Sequence, residues 1–347
     1  MCNIAGYAGE KQAAPILIDM LRRQQHYDGG VCAGIATIHN GRIHYRKVVG
    51  DVDTLVNTTD ALYLPGTVGI AHTRPGGDVQ TYSYAHPFVN IEETLAGMTN
   101  GTSRAPGSKE NDQEFTTLLE NEGFIFRDVA YKEKSDFPRL KSGGFVSPVA
   151  TRVYMVDKYI KQGMSTSAAM ARTCSEGYRD NVLGILNLNT PDRFYILRTT
   201  RPAISLKTED GTYVATTRFG FPEDARGEVK MLPLFTACEM TKDGVTVTEN
   251  KMTNCEEVAE VTDYTLEEGY KRIYAMLKGK KDAPLHFDDL EIAVWHDMRD
   301  IFEGDHTLLQ DARLVYDVLW RLDEDRILNK ELRRVSDNRE RYFMWID

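Results

Sequence analysis

Apolar and polar positions switch between two periods along the first third of the chain. Residues 3–8 form a short apolar run that predicts a buried strand. Residues 13–25 change to helical spacing, with Ile16, Leu17, Met20 and Leu21 on one face. Two β-rich runs, 32–38 and 42–49, flank His39-Asn40-Gly41, and an Asn-Gly pair between such runs predicts a hairpin. Strands are also predicted at 68–72 and 93–98. A helix at about 113–122 precedes a charged loop at about 127–147, rich in Lys, Asp, Pro and Gly. Helices near 150–161 and 165–176 follow, then β-patterned runs at 182–188, 193–198, 212–216 and 245–248.

A helical stretch at 270–277 runs into Lys278-Gly279-Lys280-Lys281-Asp282-Ala283-Pro284, the best linker candidate. Residues 285–347 have a different texture. Amphipathic helices are predicted at 288–302 and 308–322, and the chain ends on the aromatic run Arg341-Tyr342-Phe343-Met344-Trp345. The pattern predicts two domains, 1–277 and 285–347. The second is either a small winged-helix-like module or a helical cap packed on the first.

Composition narrows the class. The 347 residues are 41% hydrophobic and 27% charged, as in ordinary globular proteins. No apolar run approaches the roughly 18 residues of a membrane span. The start, Met1-Cys2-Asn3-Ile4-Ala5-Gly6-Tyr7, lacks the basic and apolar regions of a signal peptide. Five cysteines without a CxxC pair argue for a reducing compartment and against a zinc site or disulfide framework. A net charge of −10 disfavours nucleic acid or an anionic membrane as partner. A cytoplasmic protein without metal or cofactor is expected.

A cysteine at position 2 has a specific chemical meaning. Removal of Met1 would leave Cys2 with a free α-amine, which titrates near neutrality, at about 7.7–8.0, and can activate its own thiol. Taken singly, the other polar residues of interest have ordinary readings. Asn100-Gly101 is also a turn pair, Arg74 also a surface charge, and His72 and His86 also structural histidines.

Set beside Cys2, the segments Ala71-His72-Thr73-Arg74, Ala85-His86-Pro87 and Thr99-Asn100-Gly101 resemble motifs of the class II, N-terminal-nucleophile glutamine amidotransferases. Lys161-Gln162-Gly163-Met164-Ser165, the 183–198 hairpin, 212–217 and Asp243-Gly244 extend the likeness over about residues 2–250. Within that family they resemble especially the glutaminase domain of glucosamine-6-phosphate synthase. The resemblance implies an α+β fold, an αββα sandwich of two antiparallel sheets. It implies Cys2 as nucleophile, Asn100 and Gly101 as the oxyanion hole, Arg74 as the grip on a substrate α-carboxylate, and His86 as a brace. It further implies glutamine or a related amide as substrate, a homo-oligomer, and a separate ammonia-acceptor or synthase subunit, because residues 285–347 are too few for the sugar-isomerase domains.

Several positions depart from the family. Its Gly after the nucleophile is Asn3, no Arg matches its YRGYDSAG segment near 25–34, Pro75 replaces a Trp, and Gly76-Gly77-Asp78 replaces ATHG. The acidic pair expected at the start of the 150–161 helix becomes Ala150 and Arg152, so the partner for a substrate ammonium must come from elsewhere. Asp78, Asp112 and Asp136 are the candidates. Three function classes follow: a glutaminase or amidotransferase, an N-terminal-nucleophile hydrolase of another amide, or a non-catalytic regulatory or assembly relative.

Overall fold

The computed structural model describes residues 2–75, 81–102, 107–131, 137–177, 180–255, 257–304, 306–335 and 339–347. The first third contains strands β1 (Asn3–Gly9), β2 (Cys32–His39), β3 (Arg42–Val49), β4 (Val68–Arg74), β5 (Phe88–Val89) and β6 (Leu95–Thr102), with helices α1 (Ala13–Gln24) and α2 (Val52–Thr58). Helices α3 (Ser108–Asn121), α4 (Pro148–Lys161) and α5 (Thr166–Glu176) follow, with the small pair β7 (Val129–Ala130) and β8 (Phe145–Val146) between α3 and α4. Next come β9 (Asp180–Asn187), β10 (Arg193–Arg198), β11 (Ile204–Lys207), β12 (Gly211–Ala215), β13 (Glu228–Met231), β14 (Thr236–Thr241) and β15 (Gly244–Lys251). The last part holds β16 (Val258–Ala259), α6 (Asp263–Leu277), α7 (Phe287–Asp297), β17 (Leu308–Leu309), α8 (Asp311–Glu324), β18 (Asn329–Arg334) and β19 (Glu340–Trp345).

Two antiparallel sheets dominate. One runs β13-β11-β12-β1-β4-β2-β3 and the other β15-β14-β10-β9-β6-β5. Their inner faces share Ile4, Ala36, Ile70, Met98, Leu186 and Phe194. Helix α1 covers the outside of the first sheet with Leu17, Met20 and Leu21, while α4 and α5 cover the second with Val153, Val156 and Met170. The result is the four-layer αββα sandwich. Strand β1 is central and buried along its whole length. Both its faces meet apolar layers, which is why it reads as a continuous apolar run and not as an alternating one. The layers approach so closely that a Cβ at Gly6 would lie 2.5 Å from the Phe194 ring.

The predicted elements fall close to the observed ones, with informative exceptions. Helix α2 is too short to show a period, and is fixed by its cap, where Asp51 accepts from the Thr54 N–H at 2.7 Å. Strand β13 is a four-residue edge, too short for its alternation to stand out. The first predicted C-terminal helix ends at Asp297, not 302, because residues 299–301 tighten into a 3₁₀ turn.

Helix α6 begins at Asp263, where the Thr262 hydroxyl accepts from the Thr265 N–H at 3.2 Å. Its Ile273 and Leu277 share one apolar core with Phe287 and Leu290 of α7 and with Leu314 and Leu319 of α8. The basic segment after α6 is therefore an exposed turn joining two helices of this core, anchored where the Gly279 N–H donates to the Ile346 carbonyl at 2.8 Å. We call α6–α8 with the β18–β19 hairpin the C-terminal module. Among the described residues no helix is long and apolar enough to cross a membrane.

Candidate active site

Asn3 at the start of β1 pairs with Thr73 of β4, and the next β4 residue, Arg74, stands opposite Cys32 of β2. Cys2 therefore lies at the strand end where Arg74 emerges. From the facing sheet, Asn100 of β6 accepts a hydrogen bond from the Cys2 main-chain nitrogen through Oδ1, at 3.1 Å. Asn100 is fully buried, and its Nδ2 has no hydrogen-bond partner among the described residues. The neighbouring Gly101 N–H lies near enough to the Cys2 thiol to favour its charged form. Only glycine fits there, since a Cβ would come within 2.4 Å of the Asn181 side chain and 2.6 Å of the Asp180 carbonyl.

Burial pushes the Cys2 thiol above its ordinary value, and Arg74, the Gly101 N–H and Arg201 pull against that rise. Cys32, Cys174 and Cys238 are buried in strands or a helix. Burial raises all three, Cys174 to about 11 and Cys238 to about 12. Cys255 differs, lying exposed just after β15.

The two histidines clamp the residue before Asn100. Their rings stack at 3.8 Å and 9°, the His72 Nε2 donates to the Thr99 carbonyl at 2.8 Å, and the His86 Nδ1 accepts from the Thr99 N–H at 3.3 Å. Burial first, and then neighbouring positive charge, holds His86 well below its ordinary range and His72 down at about 3. Both are neutral at physiological pH and hold β6 in place. Arg74 donates from Nη1 to the Tyr84 carbonyl at 2.9 Å. Cys2, Arg74, Asn100 and Gly101, distant in sequence, come together here with His86 behind them.

Other predicted residues are engaged elsewhere or fall outside. Asp112 of α3 forms an ion pair with Arg152 of α4 at 2.9 Å, each side chain 1% exposed, and Arg152 also donates to the Gly177 carbonyl at 2.5 Å. This corrects the expectation that Asp112 could serve as an open carboxylate for a substrate ammonium. Asp78 and Asp136 lie outside the described residues.

The sequence reading missed three features around the site. Lys47 pairs with Asp128 at 2.8 Å, its ammonium over the Tyr82 and Phe88 rings. Buried Arg201 binds Asp180 at 2.7 Å, Glu291 of α7 at 2.5 Å and Asp311 of α8 at 3.5 Å. Tyr316 of α8 donates its hydroxyl to the Asn3 Oδ1 at 3.2 Å. No local pattern marks them. Among the described residues no cluster of three or more His, Cys, Asp or Glu is arranged to hold a metal.

Comparison with known proteins follows this geometry. No family model matches the chain. It is 28% identical over 218 residues to the glutamine–fructose-6-phosphate aminotransferase (isomerizing) of Clostridium acetobutylicum, covering 62% of this chain and 31% of that protein. It is 35% identical over 128 residues to the protein of the same name from Pyrococcus horikoshii, 37% of this chain and 20% of that one. The chain thus spans about a third or less of the length of these relatives. Among solved structures, glutamine phosphoribosylpyrophosphate amidotransferase from B. subtilis superposes with a TM-score of 0.57 at 17% identity, over 78% of this chain and 52% of that one. That likeness is one of fold. The sequence similarity and the likeness of fold both run to glutamine-dependent aminotransferases and amidotransferases.

Proposed function

We propose that this protein cleaves the side-chain amide of glutamine or a closely related amide, through a thioester on Cys2. Removal of Met1 turns the Cys2 nitrogen into an α-amine. That amine takes the thiol proton, the sulfur attacks the amide carbonyl, and the amine hands the proton to the departing ammonia. Water then attacks the thioester, releasing the acid and restoring the thiol. The Asn100 Nδ2 and Gly101 N–H would stabilise the oxyanion, each such donor being worth about 2.7–4 kcal/mol. Arg74 would hold the substrate carboxylate as a planar fork, a geometry that lysine cannot reproduce. The ammonia goes to water or to an acceptor bound outside these residues.

One observation carries this reading. The Asn100 side chain spends its oxygen on the Cys2 nitrogen and keeps a buried N–H that has no partner among the described residues. A buried donor without a partner is costly unless a ligand completes it. The test is intact mass after exposure to diazo-oxo-norleucine, a glutamine-analogue electrophile, with ammonia release from glutamine in parallel. One adduct on Cys2 with Met1 absent is expected. Absence of both adduct and ammonia would favour the non-catalytic class.

A second reading concerns the substrate. With Asp112 held by Arg152, the described part of the site offers no open acid for an α-ammonium in that position. An amide whose α-amine is blocked or absent suits the site better than free glutamine, unless Asp78 or Asp136 supplies the charge.

A further inference from the structure

The residue after the nucleophile is tied to the far end of the chain. Asn3 is fully buried. Its Nδ2 donates to the Gln24 carbonyl at 3.1 Å and to the Asp28 carbonyl, and its Oδ1 accepts from the Tyr316 hydroxyl. Tyr316 is itself buried, its ring 4.4 Å from Phe287 and 6.2 Å from Tyr27. A second connection reaches the same place, because the Asp28 carboxylate is held by Arg341 of β19 at 3.1 Å. A third runs through Arg201, fastened to the main sheets by Asp180 and to the module by Glu291 and Asp311. The family's glycine at position 3 has no side chain to receive such a contact, so the connection belongs to the Asn3 form of the site.

We propose that the C-terminal module is a positioning element for the nucleophile, acting through the Tyr316–Asn3 hydrogen bond at the start of β1. The proposal rests on Cys2 being the nucleophile, and is independent of which amide is cleaved. The physical logic is local. Cys2 is held through its nitrogen by Asn100 and its thiol feels the Gly101 N–H, and both relationships require the first residues of β1 to stay in register. Asn3, the residue directly after Cys2, has the side chain that anchors that end. Tyr316 satisfies the one acceptor of Asn3 that the main sheets do not. Losing the hydroxyl would loosen Cys2 from the Gly101 N–H, which favours the thiolate, and would lower the thiolate fraction at neutral pH.

The test is the rate of Cys2 alkylation by iodoacetamide across pH 6–10, read by peptide mass, with exposed Cys255 as internal reference. In Y316F the Cys2 midpoint should rise by about one pH unit, slowing the reaction about tenfold at pH 7, with Cys255 unchanged. Y27F removes a different module contact, the Lys330 Nζ to Tyr27 hydroxyl bond at 3.2 Å, and should leave Cys2 at the wild-type rate. N3A should behave like Y316F, and the double variant should be no slower than either single one. A wild-type midpoint in folded Y316F overturns the proposal, and so does equal slowing by Y27F, which would mark a general docking effect. Should Y316F fail to fold, N3A alone decides by the same two readings. Normal alkylation with no ammonia from any amide would sink the amide-cleavage reading and leave this one standing.

Discussion

The Cys2 nitrogen donates to the Asn100 Oδ1 at 3.1 Å, and this one contact gives both ends of the Asn100 amide a task. The oxygen holds the Cys2 nitrogen, and the N–H has no partner among the described residues, which leaves it available to an oxyanion. Replacing Asn100 by Asp keeps the acceptor and removes the donor. N100D should retain Cys2 alkylation by a simple reagent yet lose about 10²–10³-fold in kcat, with KM little changed. Comparable kcat in N100D and wild type would show that Asn100 only orients the amine.

Cysteine labelling should depend on the reagent. A non-selective alkylator will mark Cys255 because it is exposed, whereas a glutamine-analogue electrophile should mark Cys2 alone. The three buried cysteines, raised by burial, should stay unlabelled in the folded protein. Peptide mapping separates these sites. Analogue labelling at Cys255 at the Cys2 rate would remove the special standing of position 2.

The Asp112–Arg152 pair makes opposite predictions for stability and for catalysis. D112N leaves the Arg152 guanidinium buried beside a neutral group, which should destabilise the fold by about 3–5 kcal/mol. KM for a turned-over amide should change little below the melting range. Thermal unfolding and steady-state kinetics on one sample decide the matter. A large rise in the glutamine KM with an unchanged Tm would instead return Asp112 to the substrate site.

Acid should weaken the protein through His72. Its folded value, near 3, lies below the ordinary imidazole value of about 6.5. Between these limits the unfolded chain binds a proton that the folded one refuses, so stability falls as pH drops below about 6.5. At pH 5 the loss is about 2 kcal/mol from this group. H72Q, whose amide can still donate to the Thr99 carbonyl, should flatten the pH dependence of denaturant midpoints between pH 6.5 and 4. An unchanged slope in H72Q would mean that His72 protonates readily in the folded state.

Much of this architecture was legible along the chain because its signals are local. Strand β1 announces itself as an apolar run, β2 and β3 as runs around Asn40-Gly41, and β10 as a β-patterned run from Arg193 to Arg198 whose observed ends match. Cys2, Arg74, Asn100 and Gly101 could be picked out because each sits in a short motif. What the chain order could not reveal is which distant partners those residues meet. Asp112 and Arg152 are 40 positions apart, Arg201 and Asp311 are 110 apart, and Asn3 and Tyr316 are 313 apart. An isolated Asp, Arg or Tyr in a sequence carries no information about whether its polar end finds water or a buried partner. Periodicity and turn chemistry fix which segments become strands and helices, because those preferences act over a few residues. The identity of each buried ion pair, and the docking of α8 against the start of β1, are decided only when sheet packing excludes water and leaves each polar group a single place to bond.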